Sequence, residues 1–393
     1  MLTRHYRLPR LRRFAALSLS LFCFLLLSTR LDFPQFALRP FIPSVRSTNA
    51  TLGFGRIYAV SKNGSPRRSR LIRASNVTEL HITIPAQPEW TEDELDKFRL
   101  REGSKIAKGT MLAWLGHLHA LRQFLDSGDE TALLLEDDVD WDIRLRSVQV
   151  PLLASALSRL FPNSVSEMYP YGDPKDWDLL YLGHCGDYWG VVSEGFNGSN
   201  FKPEHLAGIP HVAFTDTTLP SMNNLHPWTA GQLLHLGVAP STRLVHQSKF
   251  PLCTFAYAVT RASALRLLSD MAGRERKDGP SAYDIAILEA CRDRNMRCWS
   301  VNPELFHHVQ GRSVIGDIDR GKDTDYVKFM PLVDVVGRAQ AEQRGQTSNI
   351  ACGFWSGALD FEEGDLDRLA WLRTEFGRKG KCNEQLRTAA KPR

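Results

Sequence analysis

The sequence has no CxxC pair, no internal repeat, no low-complexity tract and no apolar run as long as the ~20 residues of a full bilayer span. Without CxxC pairs, a zinc ribbon or a thioredoxin-like redox site has no basis. No basic stripe with interleaved aromatics crosses the interior, so nucleic acid is not an expected partner. The net charge of +5 is modest and gathers at the two ends of the chain, near the start and after Arg373. No DxDx[TV], HD or GxSxG motif stands in a suitable context, which removes the usual marks of a phosphohydrolase or serine hydrolase. Disorder is not indicated either, with 43% hydrophobic and 10% aromatic residues. A chain of 393 residues can bury one large or two ordinary domains.

The N-terminus carries Arg4, Arg7, Arg10, Arg12 and Arg13, with neither lysine nor acid before the apolar run Phe14–Leu27. That run ends at Ser28-Thr29, a little short of a full span. A cleaved signal peptide begins in this way, but no small-x-small site directly follows Leu27. A short signal anchor over 14–29 fits better, with 1–13 as a cytosolic tail. Short spans sort toward thinner membranes of the early secretory pathway, so a single-pass type II protein of the Golgi (or endoplasmic reticulum) is expected. Residues 30–53, with Pro34, Pro40 and Pro43, read as a stem.

A lumenal body agrees with the sequons at Asn49, Asn76 and Asn197, and a weaker one at Asn63 before Pro66. Six cysteines lie in that body: Cys185, Cys253, Cys291, Cys298, Cys352 and Cys382. Sequence alone leaves their pairing open, and free buried thiols stay an alternative.

The body, 54–375, alternates short β-rich runs with helical patterns, and 376–393 reads as a basic tail. Strands are expected at 56–60, 80–84, 132–135, 178–182, 255–259 and 297–301, with helices over 107–126, 262–272 and 283–294. An Arg-rich loop follows the first strand, and 186–250 reads as an insertion over the carboxyl edge of the sheet. The expected class is α/β, Rossmann-like, with a mostly parallel sheet.

Ala132-Leu133-Leu134-Leu135 runs directly into Glu136-Asp137-Asp138. Adjacent carboxylates after a buried strand are costly because each raises the other's pKa. A solvated acidic turn is the ordinary reading of such a triplet. The all-aliphatic strand before it and Trp141 after it favour a divalent cation instead. Hard cations take one or two carboxylates plus the phosphates of a nucleotide. Open α/β sheets hold ligands beyond the carboxyl ends of their strands, where this triplet falls.

Several blocks recur in one order. They are Ile57-Tyr58-Ala59-Val60, Lys108-Gly109-Thr110 through Gly116-His117, and Leu135-Glu136-Asp137-Asp138-Val139. Trp177-Asp178-Leu179-Leu180-Tyr181-Leu182-Gly183, Ala256-Tyr257-Ala258-Val259-Thr260, Tyr283-Asp284-Ile285 and Asn302-Pro303-Glu304 complete the set. In these the chain resembles glycosyltransferase family 25, the lipopolysaccharide and collagen galactosyltransferases, in a form seen in filamentous fungi. The family's Gly-Cys-x-x-Ser-His helix segment is Trp114-Leu115-Gly116-His117 here, so only the histidine carries over.

The resemblance implies a GT-A-like fold, a UDP-sugar donor, Mn²⁺ (or Mg²⁺) and inversion at the anomeric carbon. On that reading Asp138 and Glu136 hold the metal, and Glu136 and Asp137 also line the donor site with His117. His307 and His308, after the last strand, would add a late metal ligand, although paired histidines are as often plain surface. Arg67 and Arg68 (with Arg70) could clamp the diphosphate. Asp284 at a helix start would take the acceptor's proton, with Asp187 as the competing base. A helix-start aspartate is also an ordinary cap. The expected function is transfer of a hexose, galactose or glucose, to a hydroxyl of a glycan or glycoprotein. A non-catalytic glycan-binding membrane protein and another metal-dependent nucleotide enzyme are the alternatives.

Overall fold

Where the sequence runs continuously apolar, the chain forms strands. The structure, a computed structural model, describes residues 48–100, 102–104, 106–187, 189, 202–309, 311, 314–320 and 332–382. Strand β1 (Arg56–Val60) is followed by α1 (Arg68–Thr78), where a loop was expected. Leu71, Ala74 and Val77 explain the difference: at helical spacing they bury one face, and the arginines ride on the other. Then come β2 (Ile82–Thr83), shorter than expected, and α2 (Glu92–Phe98), begun by a capping box between Thr91 and Glu94. Helix α3 (Lys108–Ser127) buries Met111, Trp114, Leu118 and Leu121 and stops at Gly128, whose φ of 78° favours glycine. Strands β3 (Thr131–Glu136) and β4 (Val139–Trp141) flank the acidic triplet.

A π-helical turn, Leu145–Gln149, leads into α4 (Val150–Leu160). Next are β5 (Leu179–Gly183), β6 (Gly186–Asp187), α5 (Pro203–Ala207), β7 (His211–Thr215), α6 (Pro227–His235), β8 (Thr242–Gln247) and β9 (Pro251–Leu252). They are followed by β10 (Ala256–Thr260), α7 (Arg261–Arg266), α8 (Tyr283–Asp293), β11 (Cys298–Asn302) and β12 (Phe306–His308). The remaining helices are α9 (Val314–Arg320), α10 (Leu332–Arg344) and α11 (Leu366–Leu372).

The 8-stranded central sheet has the order β2-β1-β3-β10-β5-β11-β8-β7. Strand β1 pairs in parallel with β2 and β3, and β5 with β11. Strands β10 and β8 run antiparallel to both of their neighbours. Following these pairings, every strand except β10 and β8 points the same way. The class is α/β, with a mixed sheet. Within 186–250, the described residues 211–215 and 242–247 are not laid over this sheet as expected: as β7 and β8 they extend its edge.

Alternate residues feed two cores. Ile57, Ala59, Leu133, Leu135, Leu180 and Ala258 face one, while Tyr58, Leu134, Tyr181, Tyr257 and Val259 face the other. Both faces are covered, so β3, β5 and β10 are largely apolar on both faces. Packing also reaches beyond the expected ends of the body. Leu52 is fully buried and its carbonyl accepts the Tyr171 hydroxyl, so the last residues expected as stem lie against the body. Phe376 is buried, and Cys382 is bonded to Cys352. The other disulfides join Cys185 to Cys253 and Cys291 to Cys298. The expected anchor over 14–29 and the sequon at Asn197 fall outside the described residues. Among those described, no helix is long and apolar enough to cross a membrane.

Candidate functional site

At the carboxyl end of β3 the chain turns through Asp137-Asp138 and returns as β4. Strand β12 pairs with β4 so that His307 opposes Asp140 and His308 opposes Val139. The Val309 amide donates to the Asp138 carbonyl at 2.7 Å. Two sequence-distant motifs, the acidic triplet and the paired histidines, thus share one small sheet. Gly183 permits this approach. A Cβ there would stand 2.8 Å from the Phe306 carbonyl oxygen and from the Ala256 Cβ.

The three carboxylates have different surroundings. Glu136 Oε1 accepts from the Thr254 hydroxyl at 3.3 Å and lies 3.6 Å from His117 Nε2. Asp137 Oδ2 accepts from Ser61 Oγ at 2.8 Å. Asp138 Oδ2 accepts from Arg67 Nη1 at 2.8 Å, and its Oδ1 is buried without a hydrogen-bond partner. Burial first, and then the Glu136 charge, push the Asp138 carboxyl up to about 7, with Arg67 offsetting part of the rise. The Asp138–Arg67 pair is not sealed in a core, since the two side chains are 18% and 25% exposed.

Arg67 also lies 3.7 Å from Asp137. Arg68 Nη2 reaches the Ser61 carbonyl at 3.5 Å, whereas its Nε is buried and unpartnered. His117 is buried, stacked on Tyr283 with ring centroids 4.5 Å apart, and its Nδ1 is 3.2 Å from the Tyr257 hydroxyl. The Tyr257 and Tyr283 hydroxyls are 2.8 Å apart, which ties β10 to the start of α8. Sequence reading gave these tyrosines no role, because both look like core aromatics.

Asp284 opens α8, and its carboxylate accepts from the amides of Ile285 and Cys253. Burial is the main cause that raises its pKa, and the Glu136 charge adds to it. Asp187 is placed differently. It is fully buried, with Oδ1 accepting from the Lys249 and Phe250 amides at 3.1 and 2.7 Å and Oδ2 from Ser300 Oγ at 2.8 Å. Such a carboxylate, fully buried with both oxygens hydrogen-bonded, fixes a loop.

His307 is buried, its Nδ1 2.5 Å from Glu304 Oε1, and its Nε2 has no partner. His308 stacks on Phe255, with ring centroids 5.4 Å apart. Burial, and then His307, pull His308 down to about 3, so its ring is neutral at neutral pH. Among the described residues no group of three or more His, Cys, Asp or Glu side chains is already gathered as a metal shell. What the site offers is two buried ligand atoms without hydrogen-bond partners, Asp138 Oδ1 in the turn before β4 and His307 Nε2 on β12, the strand that pairs with β4. One oxygen and one imidazole nitrogen suit a divalent cation that keeps water and phosphate as its other ligands. A cavity of about 1150 Å³, lined by Asp93, Lys97, Phe98, Arg274 and Arg276 among others, uses none of these residues. A comparison with known protein families finds no family model that matches the chain.

Proposed function

We propose that this chain is a metal-dependent glycosyltransferase with a GT-A-like body, which moves a hexose from a UDP-sugar to a hydroxyl of a glycan or glycoprotein. One observation carries this reading: Asp138, in the turn after a buried strand, keeps an unpartnered buried oxygen, and its carbonyl is bonded by the residue that follows the two histidines of β12. Asp138, His307 or His308, and Glu136 would hold Mn²⁺ or Mg²⁺, which would neutralise the departing diphosphate. Arg67 and Arg68 would take up phosphate oxygens, and the Arg67 bond to Asp138 compensates that carboxylate meanwhile.

Asp284 is the better base of the two candidates, because the amides that hold it (Ile285, Cys253 and its own) lie at the opening of α8 and it is not fully buried, while Asp187 is fully buried with Ser300 Oγ and two amides on its two oxygens. A raised pKa suits a group that accepts the proton of the acceptor hydroxyl as that oxygen attacks the anomeric carbon. Inversion follows from a single displacement of this kind. The N-terminal run, the sequons and three disulfides support a type II Golgi or endoplasmic reticulum protein with a lumenal body.

The test is hydrolysis of UDP-galactose, UDP-glucose and GDP-mannose by the detergent-purified full chain, with and without Mn²⁺. Mn²⁺-dependent release of UDP is expected, and Asp138→Ala should lower it by at least ~100-fold. Metal-independent hydrolysis, or glycan binding that Asp138→Ala leaves intact without any turnover, would overturn the proposal.

A further inference from the structure

The most unusual polar group near the site is not one of the three adjacent acids but Glu304, three residues ahead of His307. Glu304 is 2% exposed, and its Oε1 also accepts from Asn349 Nδ2 at 2.7 Å. Its Oε1 is thus shared between the His307 ring and the Asn349 side-chain amide. Asn349 is itself locked. Its Oδ1 accepts from the His226 amide at 2.7 Å and its Nδ2 donates to Thr229 Oγ1 at 3.1 Å.

The backbone of Glu304 is pinned from the opposite side. Arg243, 1% exposed and paired with Asp216 at 2.8 Å, donates Nη1 to the carbonyls of Pro303 and Glu304. Segments from 216–243, 302–307 and 349 thus converge on one carboxylate whose position decides one imidazole.

A carboxylate against Nδ1 keeps the hydrogen on that nitrogen and leaves a lone pair on Nε2. Here Nε2 is buried and has no hydrogen-bond partner. A buried ring nitrogen left unpaired is unfavourable, so several buried polar groups hold this imidazole in a state that a ligand would relieve. A histidine kept merely for packing would not need a carboxylate, an amide and an arginine to fix its tautomer.

We infer that Glu304, oriented by Asn349, is a positioning residue that presents His307 Nε2 as a neutral ligand for the divalent cation shared with Asp138. This rests on the metal-dependent reading given above, and adds to it which of the two histidines ligates and what aims it. His308, stacked on Phe255, then walls the site rather than completing it.

Two measurements on the full chain in detergent test it. In histidine-labelled wild type, two-bond ¹H–¹⁵N correlations should show His307 with its hydrogen on Nδ1 and an acceptor Nε2. A hydrogen on Nε2 overturns the inference without any variant having to fold. In the second, Mn²⁺ affinity in the presence of UDP is read by electron paramagnetic resonance for wild type, Glu304→Gln, His308→Ala and Asp138→Ala, each checked by thermal melting. Glu304→Gln should weaken Mn²⁺ by ~10–100-fold, and His308→Ala by much less. If Asp138→Ala loses Mn²⁺ while Glu304→Gln keeps it, the inference fails and the metal-dependent reading stands. If Asp138→Ala also keeps Mn²⁺, both fall.

Discussion

At the residue scale, the two candidate bases are separated by what each oxygen already does. Asp284→Asn removes a proton acceptor but keeps the amide contacts of Ile285 and Cys253. Turnover should fall ~10²–10⁴-fold with Mn²⁺ and UDP affinity and the melting temperature nearly unchanged. Asp187→Ala should do the reverse. It strands the Lys249 and Phe250 amides in a buried place, at about 1–3 kcal/mol each, so the loss appears in chemical denaturation. Equal loss of turnover per folded molecule in both variants would remove the distinction.

Asp138 gives a pH signature. Its folded pKa of about 7 lies above the ordinary aspartate value of 3.8 expected of the unfolded chain, so between those values the folded state binds the proton that the unfolded state has released. Stability is therefore fullest below the unfolded value and is lost as pH rises toward about 7, by up to ~1.4 kcal/mol per pH unit. Denaturation of metal-free protein at pH 4 to 8 should show this slope, and Asp138→Asn should flatten it.

At the element scale, β12 reaches the site only because Gly183 has no side chain. Gly183→Ala would push a Cβ against the Phe306 carbonyl, which belongs to the backbone and cannot swing away. A cost of about 1–3 kcal/mol is expected, together with weaker Mn²⁺ binding as His307 shifts. Unchanged metal affinity in a folded Gly183→Ala protein would show that β12 does not set the site.

The elements also show what could be read from the sequence. Strands β1, β3, β5 and β10 were legible because their residues are mostly apolar and buried, and β11 because Cys298, Trp299 and Val301 favour a strand. Strands β7 and β8 were not, since β8 carries Arg243 and His246 into the core, where partners far along the chain satisfy them. The triplet and the histidine pair could be singled out by type. Their adjacency depends on the β4–β12 pairing, and Glu304's role depends on Asn349, 45 residues away. Local pattern carries no trace of either.

At the scale of the whole molecule, the disulfides differ in reach and in what they hold. Cys185–Cys253 closes a loop of 68 residues, Cys352–Cys382 one of 30, and Cys291–Cys298 one of 7. Loop-closure entropy ranks their stabilisation in that order, about 4 kcal/mol for the first and about 2 for the last. The first bond has a second effect. The Cys253 amide bonds Asp284, and the next residue, Thr254, bonds Glu136. Replacing Cys185 and Cys253 by alanine should therefore lower both stability and turnover per folded molecule. The same change at Cys291 and Cys298 should cost a little stability and leave turnover intact. Activity that survives in a folded Cys185→Ala/Cys253→Ala protein would mean that Asp284 and Glu136 keep their places without this brace, and that β9 and its loop are held by packing alone.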